Sequence, residues 1–131
     1  MRPAGLLLLL VALVAGACAG SSNSGDASTI SGRSGEEIFA TRILGPNPGC
    51  ITCHSMDPDT TLVGPSIAGI GARAGSRVSG LSAEDYLRQS IINPSAFIVD
   101  GFDDGKMPSD LSEVLTGPEI DAVVAYLLTL G

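Results

Sequence analysis

Apolar residues recur at helical spacing in three places along the chain, and a start signal opens each. The first follows Ser34-Gly35-Glu36-Glu37, which has the form of a capping box with Glu37 reaching back to the cap amide. Ile38, Phe39, Arg42 and Ile43 then share one face, Arg42 through its aliphatic stem, until Gly45-Pro46-Asn47-Pro48-Gly49 breaks the helix. The second begins at Ser82, where Leu81 and Tyr86 fit a hydrophobic staple. Tyr86, Leu87, Ser90 and Ile91 form its inward stripe, and Asn93-Pro94 stops it. The third begins near Thr116, with Thr116-Gly117-Pro118-Glu119 as a second capping box. Its Ile120, Val123, Val124, Leu127 and Leu128 fall at i, i+3, i+4, i+7 and i+8, the strongest amphipathic pattern in the chain.

Between these stretches the sequence is loop-like and rich in glycine. Val63 to Gly69 could include one short helical turn, and Ala96 to Val99 is too short and isolated to imply a sheet. No hairpin signal and no internal repeat stands out. The pattern predicts a small all-α domain of about three main helices joined by long loops. Such loops need something to order them. Three helices of about ten residues bury too little surface to do so, whereas a large planar apolar cofactor at the centre would supply it.

Much of the remaining apolar content lies at the N-terminus. Arg2 precedes an uncharged run, Leu6 to Ala17, that ends in small residues, so residues 1–17 read as a signal peptide. The run is short of the roughly 20 apolar residues that span a bilayer. Ala15-Gly16-Ala17-Cys18 reads either as an ordinary cleavage site leaving a free thiol, or as a lipobox whose Cys18 is lipidated as the first mature residue. Lipidation is the favoured reading, because a lone thiol in an exported protein is otherwise unexplained. Ala15 stands where lipoboxes usually carry Leu. Residues 19–33 are Gly- and Ser-rich, a tether with a reach of about 20 Å. Residues 34–131 form the one domain. The expected location is therefore the outer face of a bacterial membrane or the periplasm, with a lipid anchor.

Charge narrows the partners. The 131 residues carry 7 basic and 14 acidic side chains, and without residues 1–17, which hold Arg2, the balance is 6 against 14, or −8. Nucleic acid and anionic membrane surfaces are poor partners for such a chain. A protein with a basic docking patch fits better.

The distinctive chemistry is Cys50-Ile51-Thr52-Cys53-His54, the C-x-x-C-H pattern of c-type haem attachment. The two cysteines can form thioethers to the porphyrin vinyl groups, and the histidine can bind the iron from one face. A thioredoxin-like dithiol needs a preceding strand and a βαβ setting, and neither is apparent. Zinc needs about four ligands and iron–sulfur four cysteines, whereas this chain has three cysteines and one histidine. Because His54 is the only histidine, the opposite face of the iron must look to methionine. Met1 leaves with the signal, and Met56 is too close to His54 to reach the far side. Met107 lies 53 positions on, in the polar loop Gly105-Lys106-Met107-Pro108-Ser109-Asp110, where a core-filling role has little to fill. A thioether opposite histidine closes the iron and raises its potential.

Residues 34–131 resemble a class I cytochrome c, with the haem motif near the first helix and Met107-Pro108 before the last. The stretch from Tyr86 to Val99, with Gly101-Phe102 and Met107-Pro108, is similar to the cytochrome c domain of haem–copper oxidase subunit II and to mono-haem subunits of alternative complex III. The resemblance implies that the Pro65 carbonyl, in Gly64-Pro65, accepts a hydrogen bond from the His54 imidazole. It also implies that Arg73 lies near a haem propionate, and that Gly35 and Phe39 cross Val123 and Tyr126. Where related domains carry prolines, this chain has Asp100, Asp103 and Asp104, which with Asp110 form either a solvated loop or a docking face for a basic partner. The function expected is one-electron transfer, not enzymatic catalysis. The alternatives are a haem-bearing subunit of a larger membrane oxidoreductase and a haem sensor or enzyme with a displaceable Met107.

Overall fold

Each of the three predicted helices starts where its cap residue stands. The computed structural model describes Met1 and residues 32–131, so the readings of the leader, of Cys18 and of nearly all the tether lie outside the described residues. Helix α1 (Gly35–Ala40) opens with the Ser34–Glu37 box: Ser34 Oγ accepts from the Glu37 amide at 3.2 Å and the Glu37 carboxylate accepts from the Ser34 amide at 2.7 Å. It is shorter than the apolar pattern suggests. Thr41 turns extended, and Ile43–Leu44 (β1) pairs antiparallel with Asn47–Pro48 (β2) around Gly45 at φ +59°. Extended backbone alternates its side chains, so Leu44 goes into the core while Ile43 stays 71% exposed; Arg42, just before the strand, is exposed too. The expectation that Arg42 and Ile43 continue the helical stripe is therefore corrected, as is the expectation of no hairpin.

One-turn helix α2 (Cys50–Cys53) follows. The short turn expected within 63–69 occurs later, as α3 (Ile70–Arg73) running into a 3₁₀ turn at Ala74–Ser76. Helix α4 (Ala83–Ile92) is capped by Ser82, whose Oγ accepts from the Asp85 amide at 3.0 Å. A 3₁₀ turn at Pro94–Ala96 and the one-turn α5 (Leu111–Val114) lead to α6 (Gly117–Leu128).

Helix α6 is the hub, packing against α1, α3 and α4. Its Ile120, Val123, Val124 and Leu127 are buried with Ile38, Phe39, Leu87 and Ile91. Leu128, predicted inward, is 36% exposed because the helix ends there. Gly35 lets α1 and α6 touch: a Cβ on it would stand 2.0 Å from the Ala122 carbonyl oxygen. Phe39 and Tyr126 meet beside this crossing with their rings tilted by 50° and 5.8 Å between centroids. The domain is all-α apart from the two-residue ladder, and no described helix is long and apolar enough to cross a membrane.

Candidate functional site

A deep apolar crevice runs between the α2 segment and the loop that carries Met107, floored by Leu87, Val123 and Leu127. Cys50, Cys53, His54, Pro65, Arg73 and Met107, six positions singled out in the sequence, all line it. Cys18 is outside the described residues, and Met56 is 39% exposed and not on the crevice wall.

The α2 turn sets Cys50 and Cys53 three residues apart, hence on one helix face. Both are half-buried, and neither forms a disulfide among the described residues. Burial pushes the Cys50 thiol above its ordinary value, with a smaller push from neighbouring Cys53 and a backbone hydrogen bond opposing both. The His54 amide donates to the Cys50 carbonyl at 2.9 Å, and the chain then turns extended, so the ring leaves the turn and enters the crevice.

His54 Nδ1 lies 2.8 Å from the Pro65 carbonyl oxygen. A carbonyl can only accept, so Nδ1 carries the proton and Nε2 keeps its lone pair. Burial lowers the imidazole pKa and outweighs the opposing Pro65 bond, so the ring is neutral, as a metal ligand must be. Gly64 makes the approach possible: a Cβ there would lie 2.5 Å from His54 Cε1 and 2.8 Å from Nδ1. The Gly64 amide donates to the Cys53 carbonyl and the Ile67 amide to Ser55, both at 2.8 Å, which laces the loop to the motif.

Met107 and Pro108 are half-buried and line the same crevice, as do Phe97, Val99 and Phe102. Phe97 meets Tyr86 edge-on at 5.9 Å. The acidic loop divides in two. Asp104 accepts from Ser95 Oγ at 2.5 Å and from the Gly105 amide at 2.7 Å, and Asp110 accepts from Asn47 Nδ2 at 2.7 Å. These two acids brace the Met107 loop.

Arg73 donates to the carbonyls of Ser66 and Ala68, holding the loop next to Pro65. Arg77 lies against the same crevice, and its buried Nε has no acceptor among the described residues. Gly64 was legible only as half of a Gly-Pro pair, and Arg77 carried no sequence signal.

The residues fit a haem. A neutral imidazole with a free nitrogen, a thioether in the same lining, two thiols at i and i+3, apolar walls and an orphaned cationic donor match an iron porphyrin that bears vinyls and propionates. The fold and the crevice thus define an all-α protein built around a covalently held planar redox group. The family model for Cytochrome c matches residues 33–131, and the chain belongs to that family. No curated protein matches it. Membership implies haem c, with Cys50 and Cys53 in the attachment motif, and implies haem-based electron transfer by a carrier.

Proposed function

We propose that this protein is a one-electron carrier in which His54 and Met107 bind the iron of a single haem c from opposite faces and Cys50 and Cys53 hold it covalently. The observation that carries this reading is the 2.8 Å contact from His54 Nδ1 to Pro65, which leaves Nε2 free in a crevice that also contains Met107. Bound haem supplies a one-electron Fe(III)/Fe(II) couple. The protein does the rest. Pro65 fixes the ring and strengthens its donation, the apolar walls exclude water, and a thioether on the second face favours the reduced state.

In this reading Cys18 is lipidated, residues 19–33 tether the domain outside the cell membrane, and a redox partner docks at the crevice mouth. Asp103, exposed at that mouth, offers charge to a basic partner. A second reading makes the chain the haem-bearing subunit of a larger membrane oxidoreductase. It is favoured by Leu62 and Val63, 45% and 54% exposed immediately before Gly64, which present apolar surface beside the haem motif. Purification from native membranes separates the two. A free carrier emerges alone, with an acyl mass on Cys18, and with a reduced haem that resists carbon monoxide. Stoichiometric integral membrane subunits would establish the second reading, and carbon monoxide binding would overturn closed ligation.

A further inference from the structure

We infer that Arg77 is a haem-anchoring residue whose Nε–H donates to a propionate carboxylate. The inference rests on the haem c reading and extends it to a residue which that reading does not assign. Arg73 and Arg77 both line the crevice and both line a second cleft that shares Pro65 and Ser66 with it. The structure gives them different work. Arg73 spends Nη1 and Nη2 on the Ala68 and Ser66 carbonyls, neutral acceptors that fix a loop. The side chain of Arg77 donates to no described residue, and its Nε is shut off from solvent. Arginine cannot escape such a position by losing its proton.

Nor does a carboxylate among the described residues pair with either cation. The ion pairs among the described residues use Arg33 and Arg88. Burial already disfavours the charge on Arg73, and Arg77 adds to that burden, since the two like charges oppose one another. Two like charges, half-buried where the apolar crevice shares its lining with the second cleft, favour an anion delivered from within the crevice. A haem, with two carboxylates on one edge, supplies one. Arg73 then positions the loop that carries the Pro65 carbonyl, and Arg77 binds the group itself.

Mass spectrometry showing haem attached to the purified protein comes first, so that failure of the haem reading is not confused with failure of this one. Nitrogen-15 NMR of the reduced wild-type holoprotein should then show a slowly exchanging Arg77 Nε–H with cross-relaxation to the propionate methylenes. A fast-exchanging Nε–H without that contact overturns the assignment. In Arg77→Gln, loss of a nearby positive charge favours Fe(III), so the equilibrium constant for reduction should fall about threefold or more, about 28 mV for a one-electron couple. Arg77→Lys should restore most of the potential, and the solvent-facing Arg88→Gln should leave it unchanged. An Arg77→Gln potential equal to wild type overturns the inference, and if that variant does not mature the wild-type NMR result decides.

Discussion

Replacing Gly64 with alanine probes the histidine support at its tightest point. The new Cβ would stand 2.5 Å from His54 Cε1, whereas ordinary contact begins at 3.4 Å, so the ring or the loop must yield by about 0.9 Å. Neither has room to do so. A ring that moves stretches the 2.8 Å bond to Pro65, and a loop that moves breaks the 2.8 Å bond from the Gly64 amide to Cys53. Losing one such bond costs about 0.5–1.5 kcal/mol, and overpacking adds about 1–3 kcal/mol, so the holoprotein should lose about 2–4 kcal/mol. For a domain of this size that is a fall in Tm of about 8 °C or more. Weaker donation by a displaced imidazole should also move the midpoint potential. Urea unfolding followed by haem absorbance, with spectroelectrochemistry on the same samples, measures both. Gly117→Ala is the control, because a Cβ there meets nothing within 4 Å. A Gly64→Ala protein with the stability and potential of Gly117→Ala would refute the reasoning.

Gly35→Ala places a Cβ 2.0 Å from the Ala122 carbonyl, so it should prise α1 from α6 and cost about 2 kcal/mol or more in chemical unfolding. Asp104→Ala should loosen the Met107 loop by about 1–2 kcal/mol and speed its amide exchange, while Asp103→Ala stays within about 0.5 kcal/mol of wild type. Glu119 is held below the ordinary glutamate value near 4.5, first by the Thr116 amide and then by Arg33. Its contribution is therefore fully present above that value and is lost as pH falls through the lower folded value. Acid titration of stability should show a shallower decline in Glu119→Gln, which should itself cost about 0.5–2 kcal/mol at neutral pH.

What could be read from the sequence is what local chemistry decides. The Ser34–Glu37 and Thr116–Glu119 boxes join groups three residues apart, and the α6 stripe is a repeat within one element, so both were visible without a fold. The motif at Cys50–His54 and the lone candidate Met107 were likewise matters of residue identity and counting. Some of the features missed depend on distance along the chain, and others on a local turn that the apolar spacing did not reveal. Asp110 looked like one more surface acid, yet its partner Asn47 is 63 positions away. Ile43 looked like the next turn of α1, but the pairing of Leu44 with Asn47 drew the backbone extended. Arg77 differs from a solvated arginine only because α3 and its 3₁₀ turn press its Nε against the crevice. The turns α2 and α5 are four residues each, too short for any period to register.

X-ray absorption at the iron edge of the oxidised holoprotein tests the His54/Met107 pair most directly. One sulfur scatterer among the six ligands, present in wild type and absent in Met107→Ala, is the predicted result. A wild-type iron with no sulfur neighbour, or one whose sulfur survives in Met107→Ala, would contradict it.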